Sequence, residues 1–442
     1  MIKLKICKII IIKLIAIFLT FPSFGQNYQP FDTVDHGNID LMADIYERKF
    51  DKIIEEITVP DKKLKTAIKN IYKSQKDFFL DEIKDRVFIY DNKITKYLTE
   101  ILENILRVNN IPLDGYKILL SGKDEINAYN LGEGSIVIHY GLINFLNNED
   151  QLYSIICHEV GHQILEHVKT HIFKNARQNT SDEVTSKTKN ISKKKYGRSR
   201  EAQDFINKLR FNNYRSKRKS EIQADSLGFI LYSKTDRNKF AFLSTLKELN
   251  DTDIERDSIS KEDLQKIFNF DDSPFLDKWL KIEDNSIFNY DNIVNYNNNI
   301  NNDSLKTHPS CIERISLIKS TYKSDFESID SINFSKSQEF SFWKKDTELQ
   351  TLYNLFSNEN YGKSLYKSIL YLKKYPHSIE AKLLISESLK KLAIAKSNYR
   401  LNNYIPNINP KENSASLNLF INFVQNLRIS EMELLSSKIV LN

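Results

Sequence analysis

His158 and His162 stand four residues apart in Cys157-His158-Glu159-Val160-Gly161-His162. On a helix that spacing puts both imidazoles on one face, one turn apart. Two neutral imidazoles so placed can hold one Zn²⁺. Glu159 lies about 100° round from His158, beside the metal position rather than on it, where its carboxylate can take the proton of an attacking water. The flanking Leu152, Ile155, Ile156, Ile164 and Leu165 are apolar, as a buried active-site helix requires. The alternative is a pair of surface histidines on an amphipathic helix. A chain with only 8 His seldom carries H-E-x-x-H by chance.

Two carboxylates offer a third ligand. Glu221 and Asp225, in Ser220-Glu221-Ile222-Gln223-Ala224-Asp225, are again i and i+4 and face one way on a second helix. Glu221 can complete a set of two His and one Glu that leaves a fourth position for water. Asp225 can hold an imidazole N–H of the first helix and so fix its tautomer and ring angle. The alternative is two solvated acids near Lys217, Arg218 and Lys219. His167 and His171 follow on the first helix. On that same helix they lie about 180° and 220° round from His158, away from the metal face, and are not read as ligands. His139 has no assigned role.

These side chains need elements to hold them. Asn148, Glu149 and Asp150 supply cap-type residues for one long helix over about 150–173. Tyr116–Leu120 and Ser135–His139 read as strands separated by the turn residues Gly132 and Gly134, and Gly141–Leu146 as a short helix. Ile94, Tyr97, Leu98, Ile101, Leu102 and Ile105 form an apolar helix stripe. Residues 26–85 form an N-terminal helical segment and 86–325 hold the chemistry. Residues 326–442 are helical, with a tetratricopeptide-like pair between Leu352 and Leu389; one and a half such units are too few to stand alone, so the pair packs on the rest of the chain. Asn285–Asn302 is an Asn-rich loop.

The 442 residues, 40% of them hydrophobic, suffice for two or three domains with real cores. Residues 1–25 read as a secretory signal: Lys3, Lys5 and Lys8, an apolar stretch Ile9–Phe21 broken by Lys13, then Ser23 and Gly25 before a cleavage point at Gln26. An uncleaved anchor is the alternative. The protein is then exported, periplasmic or secreted, and three Cys exclude a disulfide-stapled scaffold. The formal charge of +6 loses four Lys with the signal and becomes +2 (6 − 4), which gives no footing for a nucleic-acid partner. Charge is uneven, however. Residues 187–219 carry thirteen Lys or Arg against Glu201 and Asp204. They read as a solvated basic insertion, with peripheral contact to a membrane or another anionic surface as the alternative.

Several blocks together resemble the gluzincin metallopeptidases of the HtpX, BepA and CAAX-prenyl-endopeptidase type. They are Asn127-Ala128-Tyr129 with Gly134-Ser135-Ile136-Val137-Ile138, Gly141-Leu142-Ile143, the H-E-V-G-H helix ending Glu166-His167, Glu221-x-x-x-Asp225, and Thr307-His308-Pro309-Ser310 with Arg314. The resemblance covers roughly 88–322 and fits the soluble, exported BepA-like branch. It implies an α+β, mainly helical, zincin-like peptidase domain with a small sheet and a C-terminal, degenerate tetratricopeptide-like region. It implies that His158, His162 and Glu221 bind one Zn²⁺ and that Glu159 is the catalytic base. It also implies that Gly134, Ser135, Ile136 and Val137 pair with substrate backbone, and that His308 approaches the metal in a resting state. Arg314 would stabilise the tetrahedral oxyanion. Before Pro309, His308 is restricted to extended backbone and presented from a loop; it is either a latch on the metal or a residue that orders the loop. The implied function is a zinc metalloendopeptidase acting on unfolded or unassembled envelope proteins in quality control. The rival is a client-binding, chaperone-like protein with a structural zinc.

Overall fold

The computed structural model describes residues 36–90, 92–194, 198–252, 255–281, 310–327, 334–409 and 413–441. The signal sequence, the Asn-rich loop and His308 lie outside these residues. Helix α1 (His36–Glu56) and α2 (Lys62–Lys84) come first. Asp61 caps α2 by accepting from the backbone N–H groups of Lys63 and Leu64. Helix α3 (Asn92–Val108) carries the stripe read from the sequence, with Ile94, Leu98, Ile101 and Ile105 buried.

Three strands follow: β1 (Lys117–Ser121), β2 (Ala128–Asn130) and β3 (Ser135–His139). Their order is β1-β3-β2, with β1 parallel and β2 antiparallel to β3. Side chains alternate across the sheet. Ile136 and Ile138 face a core built with α3 and the later active-site helix. Val137 faces the opposite core, formed with Tyr46, Phe50, Ile68 and Phe79 of α1 and α2. The N-terminal helices therefore cover the back of the sheet.

Next come α4 (Tyr140–Phe145), α5 (Glu149–Ile164), α6 (His167–Thr180), α7 (Asp182–Lys193), α8 (Arg198–Ser233) and α9 (Phe240–Asn250). Asn148 caps α5 as expected, accepting from the Gln151 N–H at 3.0 Å. The helix expected to run to residue 173 is in fact two. It stops at Ile164, Glu166 takes a left-handed conformation (φ 48°), and α6 starts at His167. The basic segment is helical where described: it forms α7 and the first turns of α8, the same helix that carries Glu221.

Helices α10 (Lys261–Phe268), α11 (Cys311–Thr321), α12 (Gln338–Ser357), α13 (Tyr361–Lys374), α14 (Ile379–Ser397), α15 (Ala415–Asn426) and α16 (Ile429–Leu441) complete the chain. Helices α13 and α14 match the helix pair read from the sequence. The C-terminal helices are not packed only among themselves. Phe340 and Trp343 of α12 enter the core between the sheet, α3 and α5. Ile259, Leu264, Phe268 and Trp279 enter the C-terminal core beside Leu365, Leu389 and Phe423. The whole is a mainly helical α+β structure with a small sheet. Among the described residues no helix is long and apolar enough to cross a membrane.

Candidate metal centre and active-site cleft

Helices α5 and α8 bring the two histidines to the carboxylate. Two glycines let the helices approach backbone to backbone. A Cβ on Gly228 would lie 2.9 Å from the Cα of His158, and one on Gly161 would lie 3.0 Å from the carbonyl oxygen of Ala224. These contacts sit at the level of the ligands, so the distance between His158 and Glu221 depends on them. Gly228→Ala is expected to push the helices apart, to cost about 1–3 kcal/mol as overpacking does, and to weaken metal binding. Thermal melting and metal titration check this. Unchanged affinity and stability would show that the approach is not limiting.

Nε2 of His158 and Nε2 of His162 are 3.1 Å apart. Each is 3.5 Å from a Glu221 oxygen, His158 from Oε2 and His162 from Oε1. Tetrahedral Zn²⁺ with bonds of about 2.0–2.2 Å needs neighbouring donors roughly 3.3–3.5 Å apart. The three donors fit that group, and among the described residues they are the set close enough together to hold an ion. Burial opposes charge on His158, but hydrogen bonds with Asp225 and Glu221 outweigh it and raise its pKa to about 10. Burial, together with the charge on His158, lowers His162 to about 3.

Asp225 and Arg314 stand behind this set. Nδ1 of His158 is 3.0 Å from Oδ1 of Asp225. Arg314, in the first turn of α11, donates through Nε to Oδ2 of Asp225 at 2.5 Å and through Nη2 to Oδ1 at 2.6 Å. Its Nη2 is also 3.7 Å from Oε2 of Glu221. Both residues are buried. Burial raises the Asp225 pKa, but the Arg314 guanidinium outweighs it and holds the carboxyl below its ordinary value. Arg314, expected to stabilise the oxyanion, is thus engaged through Nε and Nη2 with the carboxylates of α8.

The break after Ile164 changes the reading of His167. It does not point away. Its Nδ1 lies 3.0 Å from Nδ1 of His162 and the ring is buried. Two such nitrogens share one proton, and with that proton on His162 the Nε2 lone pair is left facing the ligand set. Ile164 and Leu165, expected as apolar flanks of a buried helix, are exposed at this break. His171 lines the same cleft. His139 is buried behind the sheet, 5.7 Å from the Tyr129 ring.

The cleft holds about 610 Å³ and is lined by Glu159, the three donors, Ala128 to Asn130 of β2 and, opposite, Phe242 and Leu246 of α9. The strand expected to bind substrate is corrected. Ser135, Ile136 and Val137 are fully buried in the central strand, paired on both sides. Ser135 Oγ is hydrogen-bonded to the Tyr46 hydroxyl at 2.7 Å, on the back of the sheet. Gly134 (φ 99°) closes a turn in which a Cβ would meet the Gly115 carbonyl. Backbone groups that can meet a substrate belong to β2 instead. Asn127 and Leu131 bond inward, to His139 and Ser135. By alternation Tyr129 also faces β3, so Ala128 and Asn130 turn their N–H and C=O groups outward.

The profile of peptidase family M48 matches residues 92–322, just over half of the chain. The chain belongs to peptidase family M48. It shares 27% identity over 93 residues with the β-barrel assembly-enhancing proteases of Yersinia pestis and Escherichia coli K12, covering 21% of this chain and 19% of theirs. It shares 35% identity over 60 residues with the mitochondrial metalloendopeptidase OMA1 of Arabidopsis thaliana, 14% of this chain and 12% of that one. The matched stretches span less than a fifth of those relatives. For this M48 chain the family match covers α3 to the end of α11 and so includes all three donors, Glu159, Asp225 and Arg314. Metallopeptidase chemistry and the geometry of the cleft point the same way.

Proposed function

We propose that this M48 chain is a zinc-dependent endopeptidase that cuts unfolded or unassembled exported proteins. The observation that carries the reading is the convergence of two imidazoles and one carboxylate at 3.1–3.5 Å in a cleft that also holds Glu159 and an outward-facing strand edge. His158, His162 and Glu221 would hold the ion. When bound, Zn²⁺ supplies a Lewis acid that polarises the scissile carbonyl and lowers the pKa of water. Glu159 takes the proton of the attacking water and delivers it to the leaving amine. Asp225 orients His158, His167 orients His162, and Arg314 keeps Asp225 ionised and lies along Glu221. The outward N–H and C=O groups of Ala128 and Asn130 pair with substrate backbone, which gives loose sequence preference.

Export rests on the signal-like residues 1–25. Envelope substrates rest on the relatives whose names join proteolysis to β-barrel assembly. His308 enters on sequence alone as a residue that shields the metal in a resting enzyme; Cys311, three residues on, lines the cleft. The rival, a client-binding protein with a structural zinc, is disfavoured because structural sites are normally closed by four protein ligands.

Incubation with reduced, unfolded casein, followed by mass spectrometry of the products, tests the reading. Internal cleavage that stops with a zinc chelator is expected, and binding without cleavage would favour the rival. Ala128→Pro removes one outward N–H at an edge position that tolerates proline. It is expected to lower casein turnover about two- to tenfold, roughly the worth of one hydrogen bond to a peptide substrate, with zinc content unchanged. Equal turnover would mean that β2 does not hold the substrate.

A further inference from the structure

The cleft over the metal donors does not end at α9. Ile126 and Thr252 line both it and a second groove of about 340 Å³ between the peptidase core and helices α12 and α13. Phe145 forms part of one wall, with the Arg256 guanidinium stacked 3.5 Å from its ring centre. Leu352, Leu370 and Tyr371 form the other. Tyr371 is buried, and its hydroxyl has no hydrogen-bond partner among the described residues. Some charges along the groove are paired, Arg256 with Glu248, Lys374 with Glu348 and Asp124 with Lys363, and Glu255, Asp257 and Lys367 line it as well. Apolar side chains among charges of both signs suit an extended peptide segment better than a single anion.

Strand direction says which part of a chain would reach it. Strand β2 runs from Ala128, next to Ile126, to Asn130. Antiparallel pairing is the commoner kind. A substrate paired antiparallel to β2 enters beside Asn130 and leaves past Ile126. We infer that the groove between the peptidase core and α12–α13 is a remote subsite that holds an extended, mainly apolar substrate segment on the C-terminal side of the cut. The inference rests on the peptidase reading above and deepens it: α13 helps to choose which bond is cut.

The test uses the full chain loaded with zinc and three quenched fluorescent peptides sharing one cleavage site. One ends shortly after the cut. One continues about eight apolar residues beyond it, roughly 26 Å at ~3.3 Å per residue. One is extended equally on the N-terminal side. The variants are Lys367→Glu, at an exposed position of α13, and the double variant Lys367→Glu/Leu370→Asp; both residues line the groove. The wild-type KM is expected to be about tenfold lower for the C-terminally extended peptide than for the short one, with kcat little changed. The variants lose that gain and cut the short peptide as the wild type does, which also shows that they are folded. Fluorescence anisotropy of the same peptides on the Glu159→Gln chain gives a reading independent of turnover, and the variants should weaken binding of the long peptide by the same factor. Equal binding of the short and C-terminally extended peptides, or a gain from the N-terminal extension alone, overturns the inference. Failure of the wild type to cut any peptide would count against the peptidase reading, while anisotropy still decides the groove.

Discussion

Glu159→Gln is expected to keep one zinc per chain and to lose proteolysis. The amide has the shape of the carboxylate but cannot accept the water's proton. Glu159 is buried at 7% exposure on the wall of the cleft, so bulk solvent does not readily replace it. Loss of a positioned base costs about 10²–10⁴-fold in rate. Because α5 is held by its Asn148 cap and by close packing on α8, the substitution should leave melting temperature and zinc content unchanged. Casein turnover near the wild-type rate, with full zinc, would remove Glu159 from the chemistry.

Glu221→Ala is expected to cost the metal itself. Only the two imidazoles, 3.1 Å apart, would remain as ligands, and Arg314 would then stand near the site with one carboxylate fewer to balance it. Removing an outer partner of a zinc ligand typically weakens binding about 10–100-fold; removal of a ligand should exceed that. The comparison is with Asp225→Asn, which keeps all three donors and should fall within that range. Equal zinc affinity in Glu221→Ala and the wild type would place the third ligand elsewhere, and His308 would be the first residue to replace.

Local chemistry was legible in the sequence. The i, i+4 spacings of His158/His162 and Glu221/Asp225 define helix faces, and the structure sets those faces against each other. The Asn148 cap, the Ser135–His139 strand and the two helices beginning at Tyr361 and Ile379 follow equally local rules. What was not legible depends on contacts distant in sequence. The left-handed Glu166 carries no glycine to mark it, so the periodicity of the preceding helix was extended through it and His167 was turned the wrong way. The central place of β3 depends on β1 and β2 pairing with both of its edges, and its fully apolar core is what a strand covered on both faces requires. The importance of Gly161 and Gly228 appears only when α5 meets α8. Likewise Trp279, distant in sequence from Phe423, shares a core with it because residues after α9 cross to the C-terminal helices.

The proposed peptidase activity requires one ion held by His158, His162 and Glu221. Its most direct test is a titration of Zn²⁺ into the chelator-treated protein while cleavage of an unfolded substrate is followed. The account predicts negligible cleavage at the start, a linear rise, and a plateau at one equivalent per chain. Full cleavage by protein shown to be free of metal, or no cleavage at any zinc level, would contradict it.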